Sequence, residues 1–279
     1  MAEQTIEWQL GDGLAGLHII DRGVWNLQGD IWRPFAWEEL ACRQVGRGEA
    51  PLLHMWRCPK ALVIGHRDRR LAAAGEAMAE LRGEGIPVCV RPSGGAAVLL
   101  DEGVLNLSLI LPNPQHSINI HNDFRLMAEL ICGALTPWST AAAAGEIAGS
   151  FCPGDYDIAI SGRKFCGIAQ RRQAKAYIIT AFIIVEGSGE ARADEVRRFY
   201  SKAARSSDTG YPEVRRGTMG SLQELAGVPS VQAYADSLRS MLQRRGLLLD
   251  SDSSRDIASA ELQQQAEALR QRYDRDTGS

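Results

Sequence analysis

Two short runs of this sequence bring together residue types that could do chemistry. In Arg91-Pro92-Ser93-Gly94-Gly95-Ala96-Ala97-Val98, adjacent glycines sit between two apolar, strand-like runs. Such glycines let a backbone come close to a ligand and aim successive N–H groups into one space, which suits an anionic or carbonyl group. The plain alternative is a tight turn, because glycine marks turns in general. In Gly154 to Arg172 (GDYDIAISGRKFCGIAQRR), Lys164 stands two residues beyond a Ser161-Gly162 turn, and Gly167 follows in the same strand. A glycine inside a strand marks a place where a second backbone or a ligand can approach. A lysine on a hairpin is otherwise simply solvated.

The six cysteines (Cys42, Cys58, Cys89, Cys132, Cys152 and Cys166) are far apart, with no CxxC and no histidine spaced for a zinc knuckle. They read as reduced thiols, most of them small hydrophobes in a core. The five histidines (His18, His54, His66, His116 and His121) show no ligand spacing, so neither a metal nor a cofactor is expected.

These runs need elements to position them. Pro34 to Arg47 reads as a first helix, with Pro34 suited to its first turn. Lys60 to His66 reads as a short strand, Arg69 to Arg82 as an Ala-rich helix stopped by Gly83 and Gly85, and Ile86 to Arg91 as the next strand. Ala96 to Leu100 and Val104 to Leu111 are predicted to form a hairpin around Asp101-Glu102-Gly103. Asn119 to Leu135 is an amphipathic helix closed by Pro137, followed by a small-residue loop over Ser139 to Ser150. Tyr156 to Ile160, Arg163 to Ala169 and Ala176 to Val185 make three strands in meander order, so the sheet is predicted to be largely antiparallel. Beyond Glu190 the pattern turns helical and polar, over Val196 to Ala204, Ser221 to Ala226, Ser230 to Arg245 and Ser259 to Tyr273.

The 279 residues suffice for one large α/β domain with a helical appendage, and 45% hydrophobic with 23% charged residues is ordinary globular composition. A net charge of −3 provides no broad basic field, which argues against a nucleic-acid partner. The opening MAEQTIEWQL lacks a basic segment followed by an apolar run, and no stretch approaches the roughly 18 apolar residues of a membrane span. A cytoplasmic chain with no membrane partner is expected.

Taken in order, Arg-x-Ser-Gly-Gly-x-x-Val, then Leu105-Asn106-Leu107-Ser108-Leu109, then Asp155-Tyr156-Asp157 and Gly-Arg-Lys-x-x-Gly-x-x-Gln-Arg-Arg resemble the family of lipoate-protein ligases, octanoyltransferases and, more remotely, biotin ligases. The resemblance runs from about Lys60 to Val185. It implies an α/β (α+β) fold with a mixed, largely antiparallel sheet flanked by helices. The catalytic domain would span 30–250, followed by a helical tail over 251–279. It also implies an acyl tunnel walled by the Gly94-Gly95 loop, with Arg91, Ser93, Gly167, Ile168 and Ala169 among its substrate-binding residues and Lys164 as a catalytic lysine. An eight-carbon chain needs such an apolar slot, since each buried methylene contributes about 0.8 kcal/mol.

Phe151-Cys152-Pro153-Gly154 resembles the amidotransferase branch, the octanoyl-[glycine cleavage H protein]:protein N-octanoyltransferases, in which a cysteine at this place takes the acyl group. Many relatives carry a histidine after the Gly-Gly loop; this chain has Leu99-Leu100-Asp101-Glu102-Gly103 instead, and no Walker-type loop. The resemblance implies transfer of an octanoyl or lipoyl group from the lysine of an acylated glycine cleavage H protein to lysines of lipoyl domains of 2-oxoacid dehydrogenases. The intermediate would be a thioester on Cys152. The nucleophile is the thiolate, and an unperturbed thiol of pKa about 8.5 is only a few per cent ionised at neutral pH. Lys164, brought back by the hairpin, is expected to sit beside Cys152 and correct that. Cys166 is the rival nucleophile. An ATP-dependent lipoate or octanoate ligase, a transferase using an acyl-carrier-protein donor, and a non-catalytic binder of acylated carriers remain as alternatives. A monomer is expected.

Overall fold

A computed structural model describes residues 14, 16–27, 30–113, 119–247 and 257–274. The opening MAEQTIEWQL segment and His116 lie outside them. The elements run β1 (His18–Val24), α1 (Trp32–Val45), β2 (Leu52–Arg57), β3 (Ala61–Ile64), α2 (Ala74–Gly83), β4 (Val88–Val90), β5 (Val98–Leu100), β6 (Val104–Pro112), α3 (Ile120–Leu135), β7 (Ala143–Ala144), β8 (Ile158–Ile160), β9 (Arg163–Arg172), β10 (Ala176–Ile184), α4 (Gly189–Ala203), α5 (Leu222–Ala226), α6 (Val231–Arg244) and α7 (Ser259–Tyr273). A single turn of tighter helix, Asp68–Arg70, precedes α2, so the predicted Arg69 to Arg82 helix is broken at its start.

Seven strands form one sheet in the order β1-β2-β6-β10-β9-β8-β7, and three form a second in the order β4-β3-β5. In the large sheet only β1 and β2 run parallel, so the expectation of a mixed, largely antiparallel sheet holds. The β8–β9 turn has φ of 51° at Ser161 and 74° at Gly162. Positive φ at both central residues matches the right-handed twist of the strands it joins.

One expectation fails. Val98–Leu100 and Val104–Pro112 do not pair as a hairpin: β5 lies antiparallel to β3 in the small sheet, while β6 sits between β2 and β10 in the large one. Asp101-Glu102-Gly103 is therefore a corner between sheets, where Arg192 of α4 donates to both Asp101 carboxylate oxygens at 2.6 and 2.8 Å. A Cβ on Gly103 would lie 2.7 Å from that guanidinium. Both strands are buried on both faces, so neither carried the alternation that would have identified its partner.

Residue alternation splits the core into two layers. From β6, Leu105, Leu107 and Leu109 pack with α3 and α6, while Asn106 and Ser108 face the opposite side, beneath α1. The small sheet, α2, α4 and α7 share the α1 side of the core. Asn119 caps α3 by accepting from the Asn122 N–H, and Ser221 with Glu224 forms a capping box on α5.

Candidate active site

The glycine loop lies directly against Cys152. The Cys152 thiol accepts the Ala96 N–H at 3.1 Å, and Arg91 Nη1 stands 3.7 Å from the sulfur. Arg91 also donates to the Gly94 carbonyl at 3.3 Å, and its buried Nε has no partner. Two close approaches make this packing possible. A Cβ on Gly65 would fall 2.0 Å from the Gly95 carbonyl oxygen, and one on Gly95, whose φ is +114°, would fall 2.5 Å from Arg91 Nη1 and 2.9 Å from Cys152 Sγ. Tyr200 of α4 fixes the arrangement, accepting from the Ala97 N–H at 3.2 Å and donating to buried Asp68 at 2.9 Å. Asp68 in turn accepts the Gly65 N–H at 2.8 Å.

Cys152 has φ of 49°, the left-handed region that few residues other than glycine adopt. Lys164 holds it there. Its fully buried ammonium donates to the carbonyl oxygens of Phe151 (2.9 Å) and Cys152 (2.6 Å) and pairs with the Asp157 carboxylate at 2.8 Å. The three donors of an ammonium are thus matched by three acceptors. Burial pushes the Asp157 carboxyl up, while the Lys164 charge and the backbone N–H groups of Gly154 and Ile147 oppose it. The hairpin does bring Lys164 to Cys152, as expected, but to its main chain; the groups contacting the sulfur are Ala96 N–H and Arg91.

A slot opens from Cys152 between α1 and the large sheet. Gly167, Ile168 and Ala169 of β9 line it together with Phe182, Trp56 and Phe35. At about 40 Å³ its free volume admits roughly one water. A Cβ on Gly167 would lie 2.7 Å from the Phe182 ring. Of the residues expected to touch substrate, Arg91, Gly167, Ile168 and Ala169 line this slot, whereas Ser93, Gly94 and Gly95 face an outer hollow of about 560 Å³ with His66, Arg67 and Tyr211.

The slot also has a polar side that sequence reasoning passed over. Asn106, Ser108, Thr180 and Glu38 line it, and Glu38 accepts from His54 Nδ1 at 3.0 Å and Trp56 Nε1 at 3.1 Å. Burial holds the fully buried His54 below its usual pKa against the pull of Glu38. The sign was present in Leu105 to Leu109, where polar residues at alternate positions must share one strand face.

Burial raises the other thiols: Cys42 and Cys58 to about 12, Cys132 to about 11, and Cys89 and Cys166 well above the ordinary thiol range. Cys166, the rival nucleophile, is fully buried in the layer beneath α3 and α6. Among the described residues, no three His, Cys, Asp or Glu side chains converge as a metal site requires, and no helix is long and apolar enough to cross a membrane.

Residues 30–243 match the family described as lipoyl protein ligase A/B catalytic domain. The chain is 40% identical over 212 residues to the octanoyl-[GcvH]:protein N-octanoyltransferase of Geobacillus kaustophilus, covering 75% of each chain. It is 37% identical over 209 residues to the lipoyl-[GcvH]:protein N-lipoyltransferase of Listeria monocytogenes, covering 74% of this chain and 75% of that one. Its fold resembles a putative lipoate protein ligase from T. acidophilum with bound lipoic acid, with a TM-score of 0.65 over 92% of this chain and 95% of that one, at 19% identity.

Proposed function

Since the chain belongs to the lipoyl protein ligase A/B catalytic-domain family and stands with its octanoyl-[GcvH]:protein N-octanoyltransferases, we propose that it moves an octanoyl or lipoyl group between lysine side chains of carrier proteins through a thioester on Cys152. The donor is an acylated glycine cleavage H protein and the acceptor a lipoyl domain of a 2-oxoacid dehydrogenase. The observation that carries the reading is the Cys152 sulfur, held between a backbone N–H and a guanidinium at the mouth of a slot floored by Gly167 and Ala169.

In the first half-reaction the Cys152 thiolate adds to the donor amide carbonyl, the C–N bond breaks, and the departing lysine amine takes up a proton. Arg91 and the Ala96 N–H face the negative charge, first on sulfur and then on the tetrahedral oxygen. In the second half the acceptor lysine amine adds to the thioester, the C–S bond breaks, and the amine gives up its proton. Lys164, paired with Asp157 and lying against the Cys152 main chain, supplies the proton in one direction and receives it in the other. One amide replaces another, so no nucleotide is consumed. The buried acyl chain contributes about 0.8 kcal/mol per methylene to binding.

The test mixes the protein with octanoylated carrier and follows the Cys152 peptide by mass spectrometry. A hydroxylamine-sensitive octanoyl adduct is expected, and Cys152→Ala should abolish both adduct and transfer. Transfer at wild-type speed by Cys152→Ala overturns the thioester. Loading of apo-carrier from free octanoate and ATP, or from acyl-carrier-protein thioester in preference to the carrier amide, would overturn the donor assignment.

A further inference from the structure

The last turn of α7 lies outside the residues that match the family, yet it grips the strand end that carries Arg91. Asp274 Oδ1 accepts the Val90 N–H at 3.0 Å, immediately before Arg91. The Tyr273 hydroxyl accepts from Arg171 Nη1 at 2.7 Å, and the same nitrogen donates to the Pro92 carbonyl at 2.7 Å, immediately after Arg91. Arg171 is fixed in turn by an ion pair with Glu39 of α1 at 2.7 Å. The grip is anchored behind: the Tyr273 ring stacks on Trp32 (centroids 6.2 Å apart, planes at 16°), and Asp274 Oδ2 accepts from Trp32 Nε1 and Arg82. The main chain is therefore held on both sides of Arg91, and the Arg91 N–H is itself tied to the Ile64 carbonyl at 2.8 Å.

We propose that Tyr273 and Asp274 are positioning residues for acyl transfer: the end of α7 sets the backbone on either side of Arg91 and so sets the guanidinium on the Cys152 sulfur, without α7 meeting substrate. The inference rests on Cys152 being the nucleophile. A guanidinium 3.7 Å from sulfur is at the edge of a useful contact, and a displacement of about 1 Å at a catalytic group can cost on the order of 10²-fold in rate. Small slack in the Val90–Pro92 backbone would therefore reach the chemistry.

The test uses the full chain with Tyr273→Phe, which keeps the ring stack and removes the hydroxyl, Asp274→Ala, and Asp274→Asn, which keeps one acceptor oxygen. Arg270→Ala is the control: it removes the ion pair of α7 with Asp30 at 2.9 Å and touches no part of the loop. Readouts are kcat and KM for transfer, the rate and pH profile of iodoacetamide alkylation at the Cys152 peptide, and thermal denaturation. Tyr273→Phe and Asp274→Ala are each expected to lower kcat about tenfold with KM unchanged. They should also slow Cys152 alkylation near neutral pH and move its profile upward, with Asp274→Asn recovering part of both. Arg270→Ala should lower the melting temperature while keeping kcat and alkylation. The inference is overturned if Tyr273→Phe and Asp274→Ala keep the wild-type kcat and alkylation profile, or lose activity only in proportion to a fall in melting temperature. Should Asp274→Ala fail to fold, Tyr273→Phe decides alone. Wild-type transfer by Cys152→Ala would instead bring down the nucleophile assignment on which this inference stands.

Discussion

Gly95 is the residue on which the most geometry converges, because its missing side chain leaves the space that Arg91 and Cys152 share. Gly95→Ala would place a methyl group inside that space and impose an L residue at φ +114°, so both guanidinium and sulfur must retreat. Transfer should fall on the order of 10²-fold while the melting temperature changes far less; wild-type turnover in this variant would show that the Arg91–sulfur contact is idle. At this scale the sequence was informative about which residues gather: Arg91, Gly95, Cys152, Lys164 and Gly167 do meet. It misassigned who touches what. A twelve-residue separation shows that a hairpin can return Lys164 to Cys152, but whether the ammonium reaches the sulfur or the carbonyl depends on a left-handed φ at Cys152 that no residue type announces.

The β8–β9 hairpin is the element that delivers Lys164, and Asp157 just ahead of β8 receives it. Removing one partner of a buried ion pair strands the other charge, so Lys164→Met should destabilise by about 3–5 kcal/mol in chemical denaturation. Lys164→Met combined with Asp157→Leu should recover much of that stability, since an apolar pair of similar volume tolerates burial, but should restore no transfer. If the double variant regained activity, Lys164 would be needed neither to move the proton nor to hold the Cys152 backbone. The three-strand meander, α3 and α7 were legible because turn residues and helical spacing mark them locally. β1 and β2 were passed over, and β5–β6 was misread as a hairpin: β2, β5 and β6 are buried almost throughout and carry no alternation, and the partners of all four strands lie far away in the chain.

Across the whole molecule, the slot lies where α1 packs over β2, β6 and β10 of the large sheet beside Val63 and Leu100 of the small one, which puts Glu38, His54 and Trp56 in one buried cluster. His54 has a pH consequence. Its folded-state pKa lies below the ordinary 6.5, so as pH falls through 6.5 the unfolded chain takes up the proton first and stability declines until the folded-state value is passed. Denaturation midpoints from about pH 7 to about pH 5.5 should therefore fall more steeply for the wild type than for His54→Gln; parallel slopes would exclude His54 as the source. The sequence by itself determined the family, the sheet's largely antiparallel character and the glycine, cysteine and lysine positions of the site, because these rest on local turn chemistry and on residue types read in order. Only the tertiary structure decided that Arg91 rather than Lys164 meets the sulfur, that the slot has a polar wall, and that the end of α7 grips the strand end that carries Arg91. Those are contacts between segments up to 184 residues apart, fixed by how buried faces pack, and local sequence pattern holds no record of such pairings.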